Sequence, residues 1–173
     1  MGSTRLLTNI IQRKVMLPEE MSPSMQRDNF EVALTDFEKH PIIKCLFKAD
    51  NQRSTECWSV QEIANFIEDC TEDQNINLCI LYWKDIHGNI YIIDGAHRLS
   101  SIYAWVKRYF ADEQATQAPN FSDQQKEDIR DLRNHLGDLA DFQKICIDPK
   151  FAEQKSKLDD IKISFRQFER PRH

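Results

Sequence analysis

No two of the five cysteines (Cys45, Cys57, Cys70, Cys79 and Cys146) form a Cys-x-x-Cys pair, and their odd number does not suit a disulfide framework. Reduced, mostly buried thiols of a cytosolic protein suit them better. No two Cys or His sit at ligand spacing either, which argues against a zinc site. Long apolar runs are absent: none approaches the roughly 20 residues of a membrane span. Near the start, Leu6-Leu7 and Ile10-Ile11 are broken up by polar residues and no small-residue cleavage site follows. The expectation is therefore a cytoplasmic chain with no signal peptide and no membrane contact. Nor is there an excess of positive charge. Lys and Arg number 23 against 28 Asp and Glu, for a net charge of −5 and a pI near 5.5. Tight binding to a nucleic-acid backbone rests on cations displacing counterions, so the balance counts against that class. Internal repeats and low-complexity tracts are missing too.

What remains is an ordinary globular composition. With 40% hydrophobic and 29% charged residues, wholesale disorder is excluded. At 173 residues the chain suits one domain that buries roughly two-thirds of its unfolded surface.

Residues 1–27, with Pro18 and Pro23, read as an irregular arm with room for a short helix or strand at its start. Asp28 to Lys39 carries Phe30, Val32, Ala33, Leu34 and Phe37 and predicts a helix stopped at His40-Pro41. Ile42 to Phe47 suits a short strand or a helical turn equally, and Asp50 to Ser54 a polar loop. Ser59 and Glu62 form a capping-box pattern ahead of Val60, Ile63, Ala64, Phe66 and Ile67, which follow the helical period. Leu78–Trp83 and Ile90–Ile93 flank a Gly88-Asn89 turn and predict a β-hairpin. A second helix is expected from Ala96 or His97 to Phe110. A third is expected from Asp123 to about Leu136, with Ser122 before it and Gly137 as its C-cap. Asp141 to Ile147 suits a strand, and Phe151 to His173 is a charged, weakly patterned tail. The fold class is α+β. Its expected division is an arm and helix over 1–40, a small sheet with helices packed on it over 41–147, and a tail over 148–173.

The segment Tyr91-Ile92-Ile93-Asp94-Gly95-Ala96-His97-Arg98-Leu99-Ser100 carries the chemistry. A strand runs into Asp-Gly and a helix begins at once. Gly95 permits a tight turn and close approach of a ligand to the backbone. The first turn of the helix offers amides and a positive dipole end to phosphate. Arg98 adds a permanently charged, bidentate contact. Asp94 suits a divalent metal or a water, and His97 suits phosphate or acid–base work. A purely structural reading, with Asp94 as N-cap and Arg98 in an ion pair, fits these five residues equally well.

The segment resembles the Asp-Gly-Gln-Gln-Arg motif of the ParB/sulfiredoxin-like superfamily. It is closest to the N-terminal domain of GmrSD-type, modification-dependent restriction enzymes and related phage-defence proteins. A second motif of that domain, Gln-Arg followed by Trp and a helix, is matched by Gln52-Arg53, Trp58-Ser59 and Val60 to Phe66. The resemblance covers about residues 45–140, with the motifs in the family's order. It implies a compact ParB/sulfiredoxin-type fold that binds the phosphates of an NTP, often with Mg²⁺, and regulates a nuclease subunit or domain acting on DNA. By motif, Gln52 and Arg53 would lie near the pocket. Gly95, Ala96, His97 and Arg98 would form its phosphate side, Asp94 would meet the metal, and Asp94 with His97 would serve any hydrolysis.

Two departures set NTP hydrolysis behind binding: Ala96-His97 stands where the family has Gln-Gln, and no His-Asn-His module follows. Two other readings stay open, a nucleic-acid-binding ParB-like module and an inactive protein-interaction or inhibitor domain. Trp58 is the tryptophan best suited to a site, whereas Trp83 and Trp105 suit a core. Lys107-Arg108 suits a helix end answering its own dipole.

Overall fold

The computed structural model describes residues 6–8, 10–21, 28–49, 58–72, 76, 78–111 and 120–168. Strands β1 (Arg13–Lys14), β2 (Phe30–Ala33) and β3 (Leu46–Ala49) precede helix α1 (Val60–Glu72). Strands β4 (Cys79–Lys84) and β5 (Ile90–Asp94) lead into α2 (Ala96–Val106). Helices α3 (Asp123–Leu136), α4 (Phe142–Ile147) and α5 (Ala152–Asp159) follow, and β6 (Lys162–Gln167) comes last. The strands form one mixed sheet in the order β1-β3-β5-β4-β6-β2, so the fold is α+β. β1, β3 and β5 are parallel, β4 is antiparallel to β5, β6 is parallel to β4, and β2 is antiparallel to β6.

Strand alternation explains where the core lies. Val32, Leu46, Ile80, Tyr82, Ile90, Ile92, Ile163 and Phe165 are buried in one cluster with residues of the helices. Each such aliphatic or aromatic side chain contributes roughly 1.5–3 kcal/mol by leaving water. α1 packs against α3 and α5, and α2 against α4. α2 is the central helix. Leu99, Ile102, Ala104, Trp105 and Val106 are all buried, and so are the small Ser100 and Ser101. Trp105 lies edge-on to Phe142 and donates its Nε1–H to the Leu139 carbonyl at 2.8 Å. It is therefore a core residue, as expected. The helix stops at Val106, short of the expected Phe110, because Arg108 takes a left-handed φ of 67°. The Arg108 amide then bonds the Trp105 carbonyl and the Tyr109 amide bonds that of Ala104, the two reversed bonds of a Schellman end.

The hairpin forms where the apolar runs predicted it, and one carboxylate holds its turn. Asp85 is buried and accepts from the amides of His87 and Asn89, from the Asn89 side chain and from the Tyr91 hydroxyl, each at 2.9 Å. Burial pushes this carboxyl up. The bonds from Asn89, Tyr91 and His87 outweigh that and hold it below the usual carboxylate range. Both predicted helix starts are also present. Glu62 N bonds Ser59 Oγ at 3.1 Å, and Ser122 exchanges bonds with Gln125 in a full capping box.

Three expectations are corrected. Asp28 to Lys39 is not a helix: Phe30–Ala33 is β2, paired along β6, and Leu34–Lys39 is a 3₁₀ turn. Pairing with β6 puts Val32 in the core and Glu31 in water, a period of two that the preceding apolar cluster concealed. Asp141 to Ile147 is not a strand but α4, with Asp141 capping the Lys144 amide at 3.2 Å. The arm, for which a short strand was one of the expectations, supplies β1 and buries Leu6, Leu7, Ile10 and Ile11. The tail supplies α5 and β6, with Ile163 and Phe165 fully buried. Among the described residues no helix is long and apolar enough to cross a membrane. Cys45, Cys70, Cys79 and Cys146 are free thiols, while Cys57 lies outside the described residues.

Candidate functional site

β3 and β5 are adjacent and parallel, in the register Leu46↔Ile90, Phe47↔Tyr91 and Lys48↔Ile92. Their carboxyl ends therefore open on the same edge of the sheet, the side on which α/β sheets collect ligands. Both are followed by helices, α1 after β3 and α2 after β5. Trp58 precedes α1 after the first exit, and Asp94 to Arg98 form the second.

The β5 exit is the tighter. Opposite β4, Leu81 pairs with Asp94 but Tyr82 pairs with Ile92, which leaves Ile93 as an extra residue in a bulge. Such a bulge redirects the residues beyond it, and Asp94 emerges exposed. Gly95 then turns the chain with φ 97° and ψ 13°, and its carbonyl accepts the first helical bond from Leu99 at 2.9 Å. A Cβ here would stand 2.6 Å from Ile80 Cδ1 and 3.3 Å from the Cys79 carbonyl oxygen. Both the left-handed φ and this packing against β4 call for glycine. Ala96 is buried beneath the turn, and His97 and Arg98 are half-buried in the first helical turn. The amides of Ala96, His97 and Arg98 have no intrahelical acceptor, as in any helix start. The N-cap is Gly95 rather than Asp94.

The β3 exit supplies Trp58. Its ring stacks on that of His97, with centroids 5.3 Å apart and planes 23° apart. Phe66, two turns into α1, meets the indole edge-on at 5.6 Å and 63°. The capping box at Ser59 fixes the backbone next to Trp58. Two segments forty residues apart in sequence thus touch through an aromatic stack. Gln52 and Arg53 lie outside the described residues, between Ala49 at the end of β3 and Trp58.

Comparison with protein-family models, curated proteins and solved structures gave no match.

Of the expected site residues, Asp94, Gly95, Ala96, His97 and Arg98 form one turn, with Trp58 against it. Ile80, Phe66 and the bulge at Ile93 were missed. An Ile behind a glycine, or a bulge, leaves no mark in local sequence, whereas Phe66 lies on the apolar stripe of α1 and was read only as core. Among the described residues no three His, Cys, Asp or Glu side chains group together as a metal site would require. Asp94 is a lone exposed carboxylate. Lys107 and Arg108 end α2 some 15 Å from its start, at the usual rise per residue. Arg108 there lies 3.6 Å from the carboxylate of Asp141.

Proposed function

We propose that the turn Asp94 to Arg98 binds the phosphate group of a nucleotide, in a regulatory domain of the phage-defence type. The observation that carries this reading is the contact between the two motifs. His97 of the β5–α2 turn stacks on Trp58 of the β3–α1 exit, at the carboxyl edge of two parallel strands. The amides after Gly95 and the guanidinium of Arg98 supply the phosphate contacts. Gly95 makes the left-handed turn that starts α2, and the exposed Asp94 is the carboxylate offered to a phosphate-borne Mg²⁺. The Nε2 atom of His97 is buried, so contact with a ligand falls to Nδ1. Asp94 and His97 are the titratable groups at the turn and would carry any proton transfer in hydrolysis. A ParB/sulfiredoxin-like ancestry and a nuclease subunit or domain acting on DNA follow from the motif resemblance alone, and a cytoplasmic location from the cysteine pattern.

The reading is tested by thermal shift with a panel of NTPs and dNTPs plus Mg²⁺, on the parent and on Arg98→Ala. A ligand at 100 times its dissociation constant adds about 2.7 kcal/mol to stability. In a chain of this size that raises the midpoint by roughly 5–10 °C. The shift is expected in the parent and lost in Arg98→Ala. A shift of equal size in both proteins sinks the assignment of the turn. No shift with any nucleotide sinks the nucleotide reading and favours the nucleic-acid or partner-binding alternatives.

A further inference from the structure

We infer that Trp58 is a positioning residue of this site, one that sets the plane and the exposed edge of the His97 imidazole. The inference rests on the phosphate-binding reading and adds to it the physical link between the two motifs.

Three observations carry it. First, the rings stack with planes only 23° apart, so the indole covers one face of the imidazole. A face covered in this way takes no part in ligand contact, which leaves the ring edge for hydrogen bonding. Second, Nε2 is the buried nitrogen. A half-turn of the ring about Cβ–Cγ would put Cε1 where Nε2 lies and Cδ2 where Nδ1 lies, and the stack opposes the tilting such a turn requires. Third, Trp58 is itself held. Phe66 meets it edge-on from α1, and the Ser59–Glu62 capping box anchors the residue that follows it. Aromatic contacts of this kind contribute beyond the area they bury. On the other side of the stack, His97 is fixed in the first turn of α2, the most deeply buried helix of the fold.

Both partners are thus rigid, one from α1 and one from α2. The pair closes the two strand exits against each other. A glutamine in place of His97 has no ring to stack, so Trp58 has this positioning role specifically because position 97 is aromatic.

The test compares the parent with Trp58→Ala, Trp58→Phe and His97→Gln, each first checked for folding by its amide NMR spectrum. The His97 ring protons are assigned by their loss in His97→Gln. In the parent they are expected upfield, under the indole ring current. Trp58→Ala should move them to the positions of an unstacked histidine, and Trp58→Phe should retain part of the upfield shift. Affinity for the Mg²⁺–nucleotide that gives the largest thermal shift should fall by about 10-fold in Trp58→Ala, the scale of one misplaced charge-assisted hydrogen bond. Trp58→Phe should recover most of that loss. Ring protons and affinity that stay unchanged in Trp58→Ala overturn the inference. If Trp58→Ala does not fold, Trp58→Leu takes its place, since leucine fills the volume without a ring current. If the parent binds no nucleotide, the phosphate reading fails, and the ring shifts alone still decide whether Trp58 orients His97.

Discussion

Replacing Gly95 with alanine probes the turn on which the site is built. Two penalties are expected. A non-glycine residue at φ 97° carries left-handed strain of about 1–2 kcal/mol. The new methyl also arrives 2.6 Å from Ile80 Cδ1 and 3.3 Å from the Cys79 carbonyl. Ile80 is 1% exposed, so its side chain moves aside only by disturbing a packed core, at about 1–2 kcal/mol. The sum is about 2–4 kcal/mol, or a fall of roughly 5–15 °C in Tm for a chain of this size. Urea denaturation of four proteins separates the two terms: parent, Gly95→Ala, Ile80→Val and the double variant. Ile80→Val removes the offending Cδ1 and alone costs about 0.5–1.5 kcal/mol. In that background Gly95→Ala should cost the backbone strain, about 1–2 kcal/mol, together with the remaining tight contact to the Cys79 carbonyl. A Gly95→Ala protein within about 0.5 kcal/mol of the parent would refute the turn geometry, since surface-like substitutions fall in that range. Equal penalties in both backgrounds would refute the contact with Ile80.

Asp85→Asn puts an amide nitrogen where the carboxylate accepts from two donors, and should lower stability at pH 7 by about 1–3 kcal/mol. The folded carboxyl lies below its unfolded value, so its contribution is whole above about pH 4 and is lost as pH falls through the folded value. The gap between parent and variant in urea midpoints should therefore narrow below pH 4, and a gap independent of pH would contradict this account. Ser100 Oγ is buried with no hydrogen-bond partner among the described residues. Ser100→Ala is expected to leave stability unchanged or raise it by up to about 1 kcal/mol, and a loss beyond 1 kcal/mol would reveal a bond to that hydroxyl.

Local chemistry made parts of this fold readable. Ser59 with Glu62, and Ser122 by itself, marked helix starts, because a cap satisfies backbone amides within four residues and needs nothing from elsewhere. The hairpin of β4 and β5 was legible because its turn residues lie between its own strands. β2 and β6 were not, because each finds its partner some 130 residues away. The alternation Ile163-Ser164-Phe165-Arg166 was present in the sequence, yet its polar half made a central strand look like a tail. α4 was misread because Phe142, Ile145 and Ile147 suit either period, and the Asp141 cap alone tipped the balance. At the site, the Asp94–Arg98 turn was visible through Gly95, and Trp58 through its place after Gln52-Arg53. The stack between them depends on two parallel strands lying side by side, which is a property of the sheet.

The central claim is that nucleotide phosphate sits on the turn between β5 and α2. The most direct measurement is a ¹H–¹⁵N NMR titration of the ¹⁵N-labelled protein with the Mg²⁺–nucleotide that gives the largest thermal shift. The account predicts that the amides of Gly95, Ala96, His97 and Arg98 move most, with the Trp58 indole N–H moving alongside them. Saturable changes centred on another part of the sheet, with these amides unmoved, would contradict it.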